Sequence, residues 1–148
     1  MIRKSYLSDI DRIMSIWLEA NISAHPFISA DYWESNYEDV KQAIQKAEIY
    51  VYEYKNQVCG FIGLLDRYIA GLFIEQNSQS RGIGTELLLY VKKLKQKLSL
   101  SVYLKNTKAV NFYKKHGFVI EGEKMDENTK QIEYTMLWER GAGEINEI

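Results

Sequence analysis

The sequence predicts an α/β fold: a central mixed, mostly antiparallel sheet of about seven strands flanked by four helices. Three observations carry this. Between Ile49 and Ile74, three β-prone runs are joined by only two or three residues, too few for a parallel crossover, so they form an antiparallel meander. From Thr85 onward, helical and strand periodicities alternate. The regular βαβ repetition of a dinucleotide-binding fold is absent.

Each element can be justified in order. Residues 2–6 read as a short strand. Ser8 followed by Asp11 reads as a capping box, after which Ile10, Ile13, Met14 and Trp17 recur at helical spacing to about Ala20. Asn21–Ile28 is a loop holding His25-Pro26-Phe27. A second helix runs from Ser29 to about Ala47, with Trp33, Tyr37, Val40 and Ile44 on one face. In the strand Ile49–Tyr54, Tyr50, Tyr52 and Tyr54 share one side and Ile49 and Val51 the other. Val58–Leu65 and Tyr68–Ile74 follow. Gly60, Gly63 and Gly71 interrupt these strands, which points to bulges or close backbone approach.

Thr85–Leu98 reads as a long helix with a leucine stripe, Leu100–Leu104 as a strand, and Thr107–His116 as a helix with Gly117 at its C-cap position. Phe118–Gly122 and Ile132–Trp138 are the last strands, around an acidic turn over Glu123–Lys130. The 148-residue length fits one domain, assigned to residues 1–140. The end of the chain, from Glu139 and chiefly over 141–148, reads as a frayed, flexible tail.

Composition limits function. Apolar residues make up 46 % of the chain, enough for a core. The net charge of -1 gives no global case for nucleic-acid or membrane binding. Cys59 is the only cysteine, so an internal disulfide and a thiolate metal cluster both lack material, and no metal site is expected. No apolar run is long enough to span a bilayer and no secretory leader is evident, which leads us to expect a cytoplasmic protein. Charge is uneven: residues 85–118 hold eight lysines against the single Glu86, while the flanking segments are acidic. These lysines read either as solvated helix faces or as a positive field for a polyanion.

The second reading gains weight from the segment Gln79-Ser80-Arg81-Gly82-Ile83-Gly84, which follows a strand and opens a helix. Gly82 and Gly84 let the backbone approach a ligand, and consecutive N–H groups at a helix N-terminus cradle an anion. Taken by pattern alone, this is as much a tight turn as a phosphate cradle. No Walker lysine follows the glycines, which disfavours ATP hydrolysis.

Gln-x-x-Gly-x-Gly between strand and helix resembles the acyl-CoA-binding motif of the GNAT (GCN5-related) N-acetyltransferase family. The segment from Asn106 to Phe118, with Ala109-Val110, Phe112-Tyr113 and Gly117-Phe118, is similar to that family's second motif. The N-terminal Trp helix and the His-x-Phe-Ile loop resemble small bacterial members. The resemblance covers residues 1–138 and implies a GNAT-like fold with acetyl-CoA as cosubstrate. It implies that backbone amides from Arg81 through Gly82, Ile83 and Gly84 to Thr85 meet the pyrophosphate, with Gln79 framing the loop. Leu72, Phe73 and Ile74 would run beside the pantetheine arm, with Asn106 on its far side. Tyr113 falls where the family has a general acid for the departing thiolate. A proline common near the strand-to-loop junction is missing, and Gln76 stands there instead.

The implied function is N-acetylation of an amine by direct transfer. The acceptor stays open among protein lysine, peptide N-terminus and small amine, and the chain is expected to be a monomer or homodimer without a nucleic-acid or membrane partner. The base is also open. The strand Tyr68–Ile74 holds no acid, so His25 is the candidate of choice for its ordinary pKa and loop position, with Glu75, Asp66, Glu34 and a water chain as alternatives. His116 reads as a helix-end residue and Cys59 as a small buried hydrophobe. Two other functions remain: an acyl-CoA sensor without acceptor chemistry, and a basic-patch RNA binder. The absence of an RNA-recognition motif disfavours the latter.

Overall fold

The computed structural model describes residues 1–141 of the chain. Its elements in order are β1 (Ile2–Lys4), a 3-10 turn (Leu7–Asp9), α1 (Ile10–Ala24), α2 (Ala30–Ser35), α3 (Tyr37–Lys46), β2 (Glu48–Tyr54), β3 (Gln57–Leu65), β4 (Tyr68–Ile74), a second 3-10 turn (Gln76–Ser78), α4 (Ile83–Leu94), β5 (Lys97–Tyr103), α5 (Thr107–Lys115), β6 (Val119–Asp126) and β7 (Gln131–Glu139). The sheet order is β1-β2-β3-β4-β5-β7-β6. Every neighbouring pair is antiparallel except β4 and β5, which are parallel. The predicted mixed, seven-stranded and mostly antiparallel sheet is therefore present.

Helices cover both faces and produce two cores. On one face, Leu87, Leu88 and Val91 of α4 and Val110 and Tyr113 of α5 pack on Ile62, Leu64, Leu98, Leu100 and Met136. On the other, Ile13, Met14, Ile16 and Trp17 of α1 and Trp33 of α2 pack on Ile49, Val51, Val58 and Phe61. The alternation of β2 divides as expected, Tyr50 and Tyr52 to the first core and Ile49 and Val51 to the second. β3 is sandwiched between both helical layers, which is why Val58–Leu64 is buried throughout and reads as an unbroken apolar run. Gly60 and Gly71 mark close approach: a Cβ would lie 2.8 Å from Ile74 Cδ1 at the first and 2.2 Å from the Phe73 ring at the second, while the register shifts beside Gly63.

Several boundaries differ from expectation, each for a local reason. The residue at the N-cap of α1 is Asp9 rather than Ser8, and its side chain makes no capping bond to that helix: the carboxylate accepts from the Tyr6 N–H at 2.7 Å, ahead of the 3-10 turn, and is clamped by Arg3 at 2.8 Å. α1 continues one turn past Ala20, so the loop shortens to residues 25–29. The second predicted helix is two, broken at Asn36, whose side-chain amide donates to the Tyr32 carbonyl at 2.7 Å, giving five α-helices instead of four.

α4 stops at Leu94, and Leu98 belongs to β5. The Leu98-Ser99-Leu100-Ser101-Val102 alternation is a strand signal that the leucine and lysine spacing of the preceding helix obscures. Arg140 closes that helix end, donating its guanidinium to the carbonyls of Lys92 and of Lys95, the latter at 3.3 Å. β6 extends through the supposed acidic turn to Asp126. Glu139 is not frayed but pairs with Lys97, and residues 142–148 of the predicted tail lie outside the described residues.

Candidate active site

β4 and β5 pair only at Tyr68↔Ser99 and Ile69↔Leu100. Beyond that point the two parallel strands part, leaving Gly71–Ile74 without a β5 partner. The chain leaves β4 through the second 3-10 turn and reaches α4 by the glycine loop. Gln79 ties this loop to β4, its amide donating to the Ile74 carbonyl at 3.3 Å. Ser80 and Gly82 are both left-handed, at φ 69° and 79°. The residue capping α4 is Gly82 itself, with no side-chain cap, and Gly82 O accepts the Glu86 N–H at 3.0 Å. The first-turn amides thus lack internal partners and point out of the helix end. A Cβ on Gly82 would meet nothing within 4 Å, so the space over the turn is open.

A cavity of about 620 Å³ occupies the gap, in the range of small-molecule sites. Leu72, Phe73 and Ile74 form one wall, and Gln79, Gly82, Ile83, Gly84 and Thr85 its end at α4. Asn106 and Tyr113 stand on the side of α5, and His25 on the side of α1. These ten wall and end residues plus His25 were all candidates from the sequence. Arg81 lies apart, lining a neighbouring cavity of about 190 Å³ with Tyr52, Tyr54 and Cys59.

Sequence reading missed Ala20, Ser23 and Ala24 of α1, together with Ser78, Ser80, Lys108, Ala109 and Phe112. The first three recur at helical spacing as a face of small residues, a legible signal once α1 is extended. Lys108 is the one member of the lysine-rich segment that reaches the cavity wall. Others are engaged elsewhere: Lys95 with Glu48 at 3.2 Å, Lys97 with Glu139 at 3.8 Å, and Lys92 on the His116 carbonyl.

The α5 side is built from its cap. Asn106 Oδ1 accepts the Ala109 N–H at 3.3 Å, an N-cap that fixes the start of the helix. Two turns later Tyr113 is wedged between Phe112 and Phe118, at ring distances of 5.2 and 5.5 Å. Its hydroxyl makes no hydrogen bond to any described residue, and burial pushes the phenol well above its ordinary value. At neutral pH it is a protonated donor facing a cavity that it lines.

His25 is only 7 % exposed. Its Nδ1 lies 3.0 Å from the Asn21 carbonyl and its Nε2 3.3 Å from Asn106 Nδ2. Burial holds its pKa below the ordinary histidine value. A base at this position would have to release Asn106 first. The alternative carboxylates stand away from the cavity. Glu75 pairs with Arg12 at 3.1 Å and accepts from Ser78 at 3.0 Å. Asp66 sits in the exposed β3–β4 turn and Glu34 on the exposed face of α2. His116 ends α5 with its Nε2 3.2 Å from Thr85 Oγ1, and Cys59 is buried.

Comparison with known proteins decides the family. The model of an acetyltransferase (GNAT) domain matches residues 45–120. The chain belongs to the GNAT acetyltransferase family. It is similar to peptidyl-lysine N-acetyltransferase YiaC of Escherichia coli K12, 34 % identical over 93 % of this chain and 96 % of the relative. It is also similar to peptidyl-lysine N-acetyltransferase YjaB of the same organism, at 29 % over 82 % of this chain and 83 % of YjaB. The solution structure of apo YjaB superposes with a TM-score of 0.83 at 26 % identity, covering 93 % of this chain and 96 % of that one. A GCN5-related N-acetyltransferase from Rhodopseudomonas palustris, at 17 % identity and TM-score 0.81 over 95 % of each chain, shares the fold. As a GNAT protein, the chain has the mixed sheet and the glycine turn between strand and helix that the sequence led us to expect. Among the described residues, no helix is long and apolar enough to cross a membrane.

Proposed function

We propose that this GNAT protein transfers the acetyl group of acetyl-coenzyme A to the ε-amino group of lysine side chains in proteins. The observation that carries the chemistry is the cavity between the parted strands, with uncapped helix amides at one end and a protonated phenol on its wall. The likeness to two relatives called peptidyl-lysine N-acetyltransferases, matched over most of their length, supports the acceptor.

The residues divide the work by position. The amides from Gly82 to Thr85 hold the pyrophosphate, with Gln79 keeping the loop against β4 and Lys108 adding positive charge. Leu72, Phe73 and Ile74 guide the pantetheine arm, and Asn106 closes its other side. Acetyl-coenzyme A supplies a thioester carbonyl; the C–N bond to the amine forms, the C–S bond breaks, and its electron pair stays on sulfur. Tyr113 gives its phenolic proton to that sulfur and regains one from solvent. Among the described residues no carboxylate lines the cavity, so the proton of the acceptor amine leaves through water.

A cationic acceptor also fits the charge beside the α1 wall. Tyr103, edge-on to His25 at 5.2 Å, donates to Asp126 at 2.7 Å, and Glu133 is its cross-strand neighbour. These carboxylates attract a lysine ammonium or a basic peptide.

The test is an acetylation assay with three acceptors: a lysine peptide with a blocked N-terminus, a lysine-free peptide with a free N-terminus, and a small primary amine. Acetyl transfer dominated by the first supports the proposal. Transfer dominated by either of the others refutes the acceptor assignment, and coenzyme A binding without transfer to any acceptor favours a sensor.

A further inference from the structure

Two residues 81 positions apart in the sequence meet at the cavity, and their hydrogen bonds run in one consistent direction. Asn106 Oδ1 is committed to the Ala109 N–H, which turns its amide nitrogen toward His25. That nitrogen can only donate, so His25 Nε2 must offer its lone pair. The ring proton is then on Nδ1, 3.0 Å from the Asn21 carbonyl, which can only accept. The ring is also boxed in. It stacks on Trp33 with centroids 5.2 Å apart and meets Phe27 and Tyr103 edge-on at 5.6 and 5.2 Å.

We propose that His25 is a positioning residue: its imidazole links the C-terminal end of α1 to the cap of α5, and so sets Asn106 and the helix bearing Tyr113 against the parted strands. The inference rests on acetyl-coenzyme A occupying this cavity. It explains why a histidine stands here rather than a simpler polar residue. One rigid ring donates at one end, accepts at the other and fills an aromatic box between them. The link also joins the Phe27 loop, on the proposed acceptor side, to the helix that carries the proposed acid.

Acid should break the link. Protonated Nε2 would face the Asn106 amide as donor against donor. The titratable and charged groups around the ring are Tyr32 on α2, Tyr103 on β5 with Asp126 of β6 behind it, Glu133 on β7, and Lys105, which lies 5.7 Å over the Phe27 ring. None of these hydrogen-bonds to the imidazole.

Two measurements test the proposal. The first is the two-bond ¹H–¹⁵N spectrum of the wild-type protein above pH 7, which requires no variant to fold. Protonated Nδ1 with unprotonated Nε2 is expected, and the opposite tautomer overturns the proposal. The second is calorimetric coenzyme A affinity of His25→Ala, His25→Gln, Asn106→Ala and the His25→Ala/Asn106→Ala pair. His25→Ala should weaken binding by about fivefold, the scale of one net hydrogen bond. His25→Gln, whose Oε1 can accept from Asn106, should recover most of that loss. The double variant should fall short of the product of the single losses, because one link is removed twice. Wild-type affinity should also drop as the pH falls through the lowered folded-state pKa of His25, below the ordinary histidine range, and this drop should shrink in His25→Gln. Unchanged affinity in His25→Ala with lost kcat overturns positioning and restores the base role. Independent, multiplying losses in the double variant also overturn it. Failure of the wild-type protein to bind coenzyme A overturns both this inference and the cofactor reading beneath it.

Discussion

Tyr113→Phe removes one oxygen, and packing and chemistry make opposite demands on it. The ring sits between Phe112 and Phe118 and is 8 % exposed, so its packing survives the change. The hydroxyl has no hydrogen-bond partner among the described residues, so no partner is orphaned by its loss. Folding stability should therefore change by no more than about 0.5 kcal/mol, a Tm shift of about 2 °C or less for a chain of this length. The reaction should respond very differently. Burial raises the phenol above its ordinary value, so it keeps its proton until a thiolate forms beside it. Without it the sulfur must leave unprotonated, and turnover should fall about 10²-fold, or about 2.7 kcal/mol in activation free energy. The assay is free-thiol release at saturating acetyl-coenzyme A, read beside calorimetric cofactor affinity and the melting temperature. Affinity should hold within about twofold. Full turnover in Tyr113→Phe would refute the acid assignment. A loss of activity matched by a large fall in Tm would assign the residue to packing instead.

Gly82→Val should weaken coenzyme A binding by at least about tenfold in calorimetry. A β-branched residue at φ 79° is strained by about 1–2 kcal/mol, and its side chain would occupy the open space over the turn. Leu88→Ala, at a fully buried position of α4, should cost about 2–5 kcal/mol in denaturant unfolding; a loss under 1 kcal/mol would show that the core there is not close-packed. Stability should also fall as pH drops below about 6.5. His25 and His116 both have lowered folded-state values, so the unfolded chain takes up protons first, and no penalty applies above that pH. His25→Gln should flatten part of that slope in urea titrations, and an unchanged slope would contradict the buried, neutral histidine.

The sheet was legible because its signals are local. The Tyr50, Tyr52, Tyr54 alternation fixed which face of β2 meets which core, and the two- and three-residue links forced the meander. Boundaries were misjudged where side chains or distant partners decide them. The break at Asn36 depends on one amide reaching back to Tyr32, and the end of α4 is completed by Arg140 from the far end of the described chain. The glycine loop, Asn106 and Tyr113 could be named from sequence because their motifs are contiguous. Arg81 lines the neighbouring cavity, with the left-handed Ser80 and Gly82 on either side of it, a placement that the contiguous motif does not show. The engagement of His25 with Asn106 joins two distant segments and becomes visible only in three dimensions. So does the withdrawal of Glu75 by Arg12 and Ser78.

The central claim is that the gap between β4 and β5 is the acetyl-coenzyme A site of a lysine acetyltransferase. A crystal structure of the chain with coenzyme A and a lysine peptide tests it most directly. The account predicts the pyrophosphate on the amides from Gly82 to Thr85 and the pantetheine arm between Leu72–Ile74 and Asn106. It predicts the sulfur within hydrogen-bonding reach of Tyr113 and the lysine amine approaching from the side of His25 and Tyr103. Coenzyme A bound outside this cavity, or with its sulfur remote from Tyr113, would contradict it.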